Sequence, residues 1–97
     1  LVHGDLWSGN VVWGARGPCL VDPSAQGAER ALDLAMMQLF GGFGPTFWRA
    51  YAERAPLPAA VAEALPATQL VFLLVHVVFF GHGYAGSVDR VLRGYGA

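Results

Sequence analysis

Asp5, Asn10 and Asp22 are the three side chains in the first quarter of the sequence best suited to chemistry. They are set in His3-Gly4-Asp5-Leu6-Trp7-Ser8-Gly9-Asn10 and in Val21-Asp22-Pro23. An amide and carboxylates suit a hard cation such as Mg²⁺, which takes oxygen ligands and commonly uses only one or two protein carboxylates beside nucleotide phosphates. Phosphoryl transfer from ATP asks little covalent chemistry of a protein; it asks that an acceptor hydroxyl be oriented and the metal held against the phosphates. On this reading Asn10 and Asp22 hold the metal, and through it the nucleotide, while Asp5 accepts or orients the hydroxyl proton. Asp and Asn beside glycines are also ordinary turn formers, so spacing has to separate the two readings.

The spacing favours chemistry. In protein kinases the catalytic Asp is followed five residues later by a metal-binding Asn and, across a hairpin, by a metal-binding Asp. Asp5 and Asn10 reproduce the first interval, and Asp22 takes the third place, with Pro23 where kinases have Phe-Gly.

The elements around these residues must bring them together. Residues 1–10, mixed polar and small with two glycines, read as an irregular loop. Val11-Val12-Trp13 and Cys19-Leu20-Val21 are β-prone runs around Gly14-Ala15-Arg16-Gly17-Pro18, which predicts a hairpin that returns the chain and sets Asn10 near Asp22. Ala31 to Phe40 predicts a helix with Leu32, Ala35, Met36 and Leu39 on one stripe, stopped by Gly41-Gly42. Pro45 opens a second helix, a third begins near Ala59, and Pro66 precedes a further apolar helix to Phe80. Ser87 to Tyr95 is short and amphipathic. The expected fold is mainly α with a small β-hairpin, in a single domain over residues 1–97. Its catalytic loop, hairpin and metal-binding Asp fall in 1–24 and its helical part in 31–95.

The run His3 to Asn10, then Val21-Asp22-Pro23, Asp33-Leu34-Ala35-Met36 and Leu39-Phe40-Gly41-Gly42-Phe43, resembles the fructosamine (ketosamine) kinase family. His-Gly-Asp with the later Asn is shared with aminoglycoside and choline phosphotransferases, and the Leu-Trp-Ser-Gly filling and Leu-Phe-Gly-Gly-Phe narrow it. A weaker similarity continues through Leu73, Leu74, His76, Phe80, Gly81, Gly83 and Tyr84. The resemblance implies the C-terminal lobe of a protein-kinase-like fold, ATP and Mg²⁺ as cofactors, Asp5 as base, Asn10 and Asp22 as metal ligands, and His3 and Asp33 as supports of the catalytic loop. It also implies an acceptor: the carbon-3 sugar hydroxyl of a free or protein-bound ketoamine, phosphorylated as a step in deglycation repair. An aminoglycoside- or choline-type phosphotransferase is the alternative enzyme, and an inactive fragment acting as a binding module the alternative of another class. Where the family tends to show Tyr-Gly-His-Arg-Glu, this sequence has Gly27-Ala28-Glu29-Arg30-Ala31 and matches only at Arg30, so altered substrate contacts or weakened activity are expected there.

The remaining polar and aromatic residues have plainer readings. Asp33 is expected to cap loop amides in preference to binding metal, and His3 to fix backbone groups. Trp7 either lines an acceptor pocket or packs. His76, in an apolar run without an acidic neighbour, reads as a satisfied core histidine. His82 reads as a turn residue, Met36 and Met37 as core filling, and Trp48 and Tyr51 as packing residues.

Composition limits the partners. With 55% hydrophobic and 13% charged residues and a net charge of −1, the chain has material for a core and no basic surface for nucleic acid. One cysteine, Cys19, allows no internal disulfide, which fits a cytoplasmic setting. Leu70 to Phe80 is about half the ~20 residues of a membrane span and is expected to be a buried helix, with no membrane partner. No Gly-rich phosphate loop and no Lys occur, although both belong to the N-terminal lobe of a kinase. The chain is therefore expected to be one subdomain of a longer kinase, partnered by that lobe and inactive alone.

Overall fold

The computed structural model describes residues 1–96. The opening segment runs without regular structure into a 3₁₀ turn at Ser8–Asn10, which feeds β1 (Val11–Gly14). Strand β2 (Gly17–Leu20) pairs with it antiparallel, Val11 opposite Leu20 and Gly14 opposite Gly17. The turn is therefore only Ala15-Arg16, tighter than the five residues expected. Pro18 joins the strand opposite Trp13, which a proline can do because both strands of a two-stranded sheet are edges.

Four helices follow: α1 (Ala31–Phe40), α2 (Pro45–Arg54), α3 (Ala59–Phe80) and, after a 3₁₀ turn at Gly81–Tyr84, α4 (Ala85–Gly94). Pro45 opens α2 at its first turn and Gly41 ends α1 in a left-handed conformation, as their types dictate. The core gathers Leu34, Ala35, Met37 and Leu65, with Leu6, Phe43, Phe47, Trp48 and Phe72 packed around it. The buried face of α1 differs from the predicted stripe. Leu34, Ala35, Met36 and Met37 are buried, and Leu32 and Leu39 only half-buried. Helix α1 is enclosed on more than one side, by α3, by the aromatic residues of the α2 region and by Leu6 of the opening loop, so four consecutive residues find partners.

The predicted break at Pro66 does not occur; a single 22-residue helix passes through it. Proline removes one backbone donor, which takes from the Ala62 carbonyl its partner four residues on, and crowds the preceding turn; polar groups bond the backbone on either side of it. The Thr68 hydroxyl donates to the Ala64 carbonyl at 3.1 Å, and the Tyr95 hydroxyl contacts both Ala67 N and the Glu63 carbonyl.

The expectation of a buried apolar helix is also corrected. Along α3 only Leu65 and Leu73 are buried, while Val71, Leu74, Val75, Val78, Phe79 and Phe80 are exposed. A helix apolar all round needs protein on every side, and α1 and α4 cover only part of it. By length and composition alone the α3–α4 stretch is apolar enough to cross a membrane, a test that core helices of soluble proteins also pass.

Candidate active site

Backbone bridges zip the opening loop to the segment that leaves the hairpin. Val2 N–H donates to the Gln26 carbonyl at 2.9 Å, Ser24 N–H to the His3 carbonyl at 2.8 Å, and Val21 N–H to the Asn10 carbonyl at 2.9 Å. Asp22 lies inside this zipper. Its side chain is exposed and its φ is +50°, left-handed although it is not glycine. Such a conformation costs an L-residue roughly 1–2 kcal/mol, and the bonds on either side of Asp22 hold it there.

Asp33, in the first turn of α1, grips the loop from below. Its Oδ2 accepts the His3 N–H at 2.8 Å and its Oδ1 the Gly4 N–H at 2.9 Å. These are charge-assisted bonds to two successive amides, so Asp33 sits where the sequence placed it, as a cap. Gly4 has φ +87°, and a Cβ there would strike the Ser24 carbonyl; only glycine allows the loop to lie this close.

His3 fastens the same knot. Its Nδ1 accepts the Asp5 N–H at 3.2 Å, and its Nε2 lies 2.8 Å from the Val21 carbonyl. That pattern assigns the proton to Nε2, which donates to Val21. The ring thus links the backbone of Asp5 to the residue before Asp22.

Asn10 is buried, at 7% exposure. Its Nδ2 donates to the Asp5 carbonyl at 2.8 Å and to Asp5 Oδ2 at 3.1 Å. Both its N–H donors are therefore spent on Asp5. No buried side-chain oxygen or nitrogen among the described residues lacks a partner. Asn10 Oδ1, which accepts no hydrogen bond from them, thus reaches solvent. Asp5 and Asn10 touch, and the backbone beside Asp22 is tied to both ends of their loop. Among the described residues no three His, Cys, Asp or Glu side chains gather as a metal cluster; Asn10 Oδ1 and the Asp22 carboxylate are oxygens of the kind that could hold a hard cation.

Asp5 opens on a pocket of about 350 Å³ lined also by Trp7, Met36, Phe40, His76 and Tyr84. Trp7, left between lining and packing by its sequence context, lines this pocket, and its six-membered ring lies close above Gly9. His76 is satisfied as expected, its Nδ1 2.7 Å from the Phe72 carbonyl. It is more than a core residue, however. Its ring sits among Phe40, Tyr84 and Phe80 at centroid distances of 5.1, 4.8 and 5.5 Å, and it shares the pocket with Asp5. Met36 is buried as predicted and also reaches that wall. No local signal marked His76 or Tyr84; only their place in the weaker similarity hinted at them.

Trp48 packs, its Nε1–H donating to the Phe43 carbonyl at 3.2 Å. Tyr51 instead borders a larger apolar groove of about 710 Å³, together with Val11, Trp13 and Leu20 of the hairpin. The divergent stretch Gly27–Ala31 contributes nothing to the Asp5 pocket. Arg30, its one match to the family pattern, donates to the Ala55 and Pro56 carbonyls at 2.9 and 2.6 Å and closes the end of α2.

A family model described as fructosamine kinase matches residues 1–95. A Thermus thermophilus protein named "Probable ketoamine kinase" is 53% identical over 91 residues, 94% of this chain and 35% of its own length. A mouse ketosamine-3-kinase is 38% identical, covering 96% of this chain and 30% of its own. A crystal structure from Thermobifida fusca, described as a "putative fructosamine-3-kinase", superposes with a TM-score of 0.81 at 44% identity over 95% of this chain and 32% of that one. The chain thus spans about a third of the length of these relatives. Its helices and single hairpin correspond to a kinase-like lobe. With the match running from Leu1 through the opening loop and on to Tyr95, the chain belongs to the fructosamine kinase family.

Proposed function

We propose that the complete protein transfers the terminal phosphoryl group of ATP to the carbon-3 hydroxyl of a ketoamine sugar, with Asp5 as base. The observation that carries this reading is that Asp5, bonded to Asn10, lines an aromatic-walled pocket. Asp5 Oδ2 is held by Asn10, which leaves Oδ1 for the acceptor hydroxyl. A general base must lie within hydrogen-bond reach of the proton it takes, and a sugar seated between Trp7 and His76 would meet that condition. The loop cannot easily drift, because Asp33 and His3 fix its backbone at three successive amides.

The donor set fits magnesium. Asn10 Oδ1 and the Asp22 carboxylate are hard oxygens, and phosphate and water oxygens would complete the shell. Bound Mg²⁺–ATP would supply the phosphoryl group and neutralise its charge. The strain at Asp22 supports this role, since a left-handed aspartate is kept where a glycine would be cheaper.

The nucleotide-binding lobe belongs to the same proposal. The relatives are about three times as long as this chain. The hairpin exposes Val12, Trp13 and Leu20, and α3 exposes one flank. Those surfaces suit cover by the rest of a longer kinase, without which residues 1–97 are inactive. A reducing, cytoplasmic setting fits both ATP and the free, exposed Cys19.

The test is a panel of acceptors offered with Mg²⁺–ATP to the complete protein: a fructosamine, an aminoglycoside and choline. Phosphorylation of the fructosamine is expected. Turnover of only the other two would overturn the substrate, and no turnover of any would overturn the enzyme.

A further inference from the structure

Helix α3 survives Pro66 with help from the far end of the chain. In an α-helix the Ala67 N–H and the Glu63 carbonyl, four residues back, are ladder partners. Here the Tyr95 hydroxyl joins the two, accepting from Ala67 N–H at 3.2 Å and donating to the Glu63 carbonyl at 2.7 Å. A hydroxyl bonded to both groups beside a proline ties the residue after α4 to the backbone of α3. Tyr95 is the residue immediately after α4, and Tyr84 leads directly into that helix. Helix α4 is thus a rigid bar with one end spliced into α3 at Pro66 and the other end at the wall of the Asp5 pocket. At that wall the Tyr84 ring lies 4.8 Å from the His76 ring.

We propose that Tyr95 is a positioning residue for acceptor binding: its hydroxyl sets the seat of α4 on α3 and thereby the placement of Tyr84 against His76. The proposal rests on the reading of the Asp5 pocket as the acceptor site. Two arrangements are available to the splice. With Tyr95 inserted, the hydroxyl satisfies Ala67 and Glu63. With Tyr95 withdrawn, those two groups can pair with each other, so withdrawal strands no backbone donor or acceptor. Release is therefore cheap, and Tyr95, 53% exposed, has room to leave. The pocket wall built on Tyr84 would loosen each time it does.

Tyr95→Phe in the complete protein is the test, because the ring keeps its packing and only the hydroxyl goes. Loss of one ordinary hydrogen bond should raise the KM for the ketoamine about 2- to 10-fold. The KM for ATP and kcat should stay within about twofold. A residue that served stability alone would lower the active fraction and leave both KM values unchanged, and that result would overturn the proposal. Amide hydrogen exchange gives a second readout that needs no turnover. Exchange at Gly81–Tyr84 and along α4 should quicken in Tyr95→Phe, and unchanged exchange there would overturn the coupling. If the unmodified protein phosphorylates no ketoamine, the acceptor-site reading falls, while the exchange measurement still decides whether Tyr95 holds α4.

Discussion

Replacing Gly9 with alanine would put a methyl group where the Trp7 indole now lies. The three atoms nearest to the new Cβ are all ring carbons of Trp7, each too close to coexist with it. Gly9 does not have a positive φ, so its backbone accepts alanine without strain; the glycine is required by the ring above it. Trp7 is 42% exposed and can swing aside, so the fold should lose no more than about 0.5 kcal/mol, as for other surface changes. The proposed acceptor pocket loses the wall that Trp7 gives it. Overpacking a fitted site costs about 1–3 kcal/mol, which corresponds to roughly a 5- to 150-fold rise in the KM for the ketoamine. The KM for ATP should be unaffected. Steady-state kinetics on the complete protein, with a thermal melt beside it, would read both quantities. Gly27→Ala is the control, since that position has open space around it and lines no part of the pocket. The reasoning fails if Gly9→Ala leaves the ketoamine KM unchanged. It fails equally if Gly9→Ala imposes the same penalty after Trp7→Ala has removed the ring.

Three further substitutions separate the roles around the loop. Asp33→Asn exchanges one acceptor oxygen for an amide that faces the His3 or Gly4 N–H; urea unfolding should show a loss of about 2–3 kcal/mol, with kcat falling as the loop loosens. Asp22→Gly removes the proposed metal ligand while relieving the left-handed strain, so unfolding stability should hold or rise by up to about 1 kcal/mol while magnesium-dependent turnover is lost; a parallel fall in stability would point to a structural aspartate. Asp5→Asn should lower kcat by about 10²- to 10⁴-fold with nucleotide affinity nearly unchanged by titration calorimetry, and near-normal turnover would remove Asp5 as the base.

Features set by neighbouring residues were legible in the sequence. The Asp5–Asn10 interval, the hairpin, the start of α2 at Pro45 and the stop of α1 at Gly41 all follow from local backbone preference, and the structure has each of them. Asp33 reads as a cap through the family resemblance, and the structure has this first-turn carboxylate on the amides of His3 and Gly4. Features set by distant partners were hidden. His76 reaches the Asp5 pocket because α3 packs on α1 at one register, a fact of tertiary packing that no window of sequence contains. Pro66 reads as a helix break, since the hydroxyl that braces the backbone beside it belongs to Tyr95, distant in sequence. The exposure of α3 was hidden for a related reason: an all-round apolar pattern says that cover is needed and not where it comes from.

The zipper between residues 2–10 and 21–26 divides this part of the chain into a guarded interior and a free margin. Its last tie is Val2 to Gln26, and the next fixed point is the Asp33 carboxylate under the loop. Gly27 to Ala31, where the chain departs from its family's habit, falls between those anchors and borders instead a shallow groove with Ala60, Val61 and Ala64 of α3. Drift in that stretch, Arg30 with its hold on the end of α2 apart, can therefore remake an outer contour of the lobe without disturbing the geometry at Asp5.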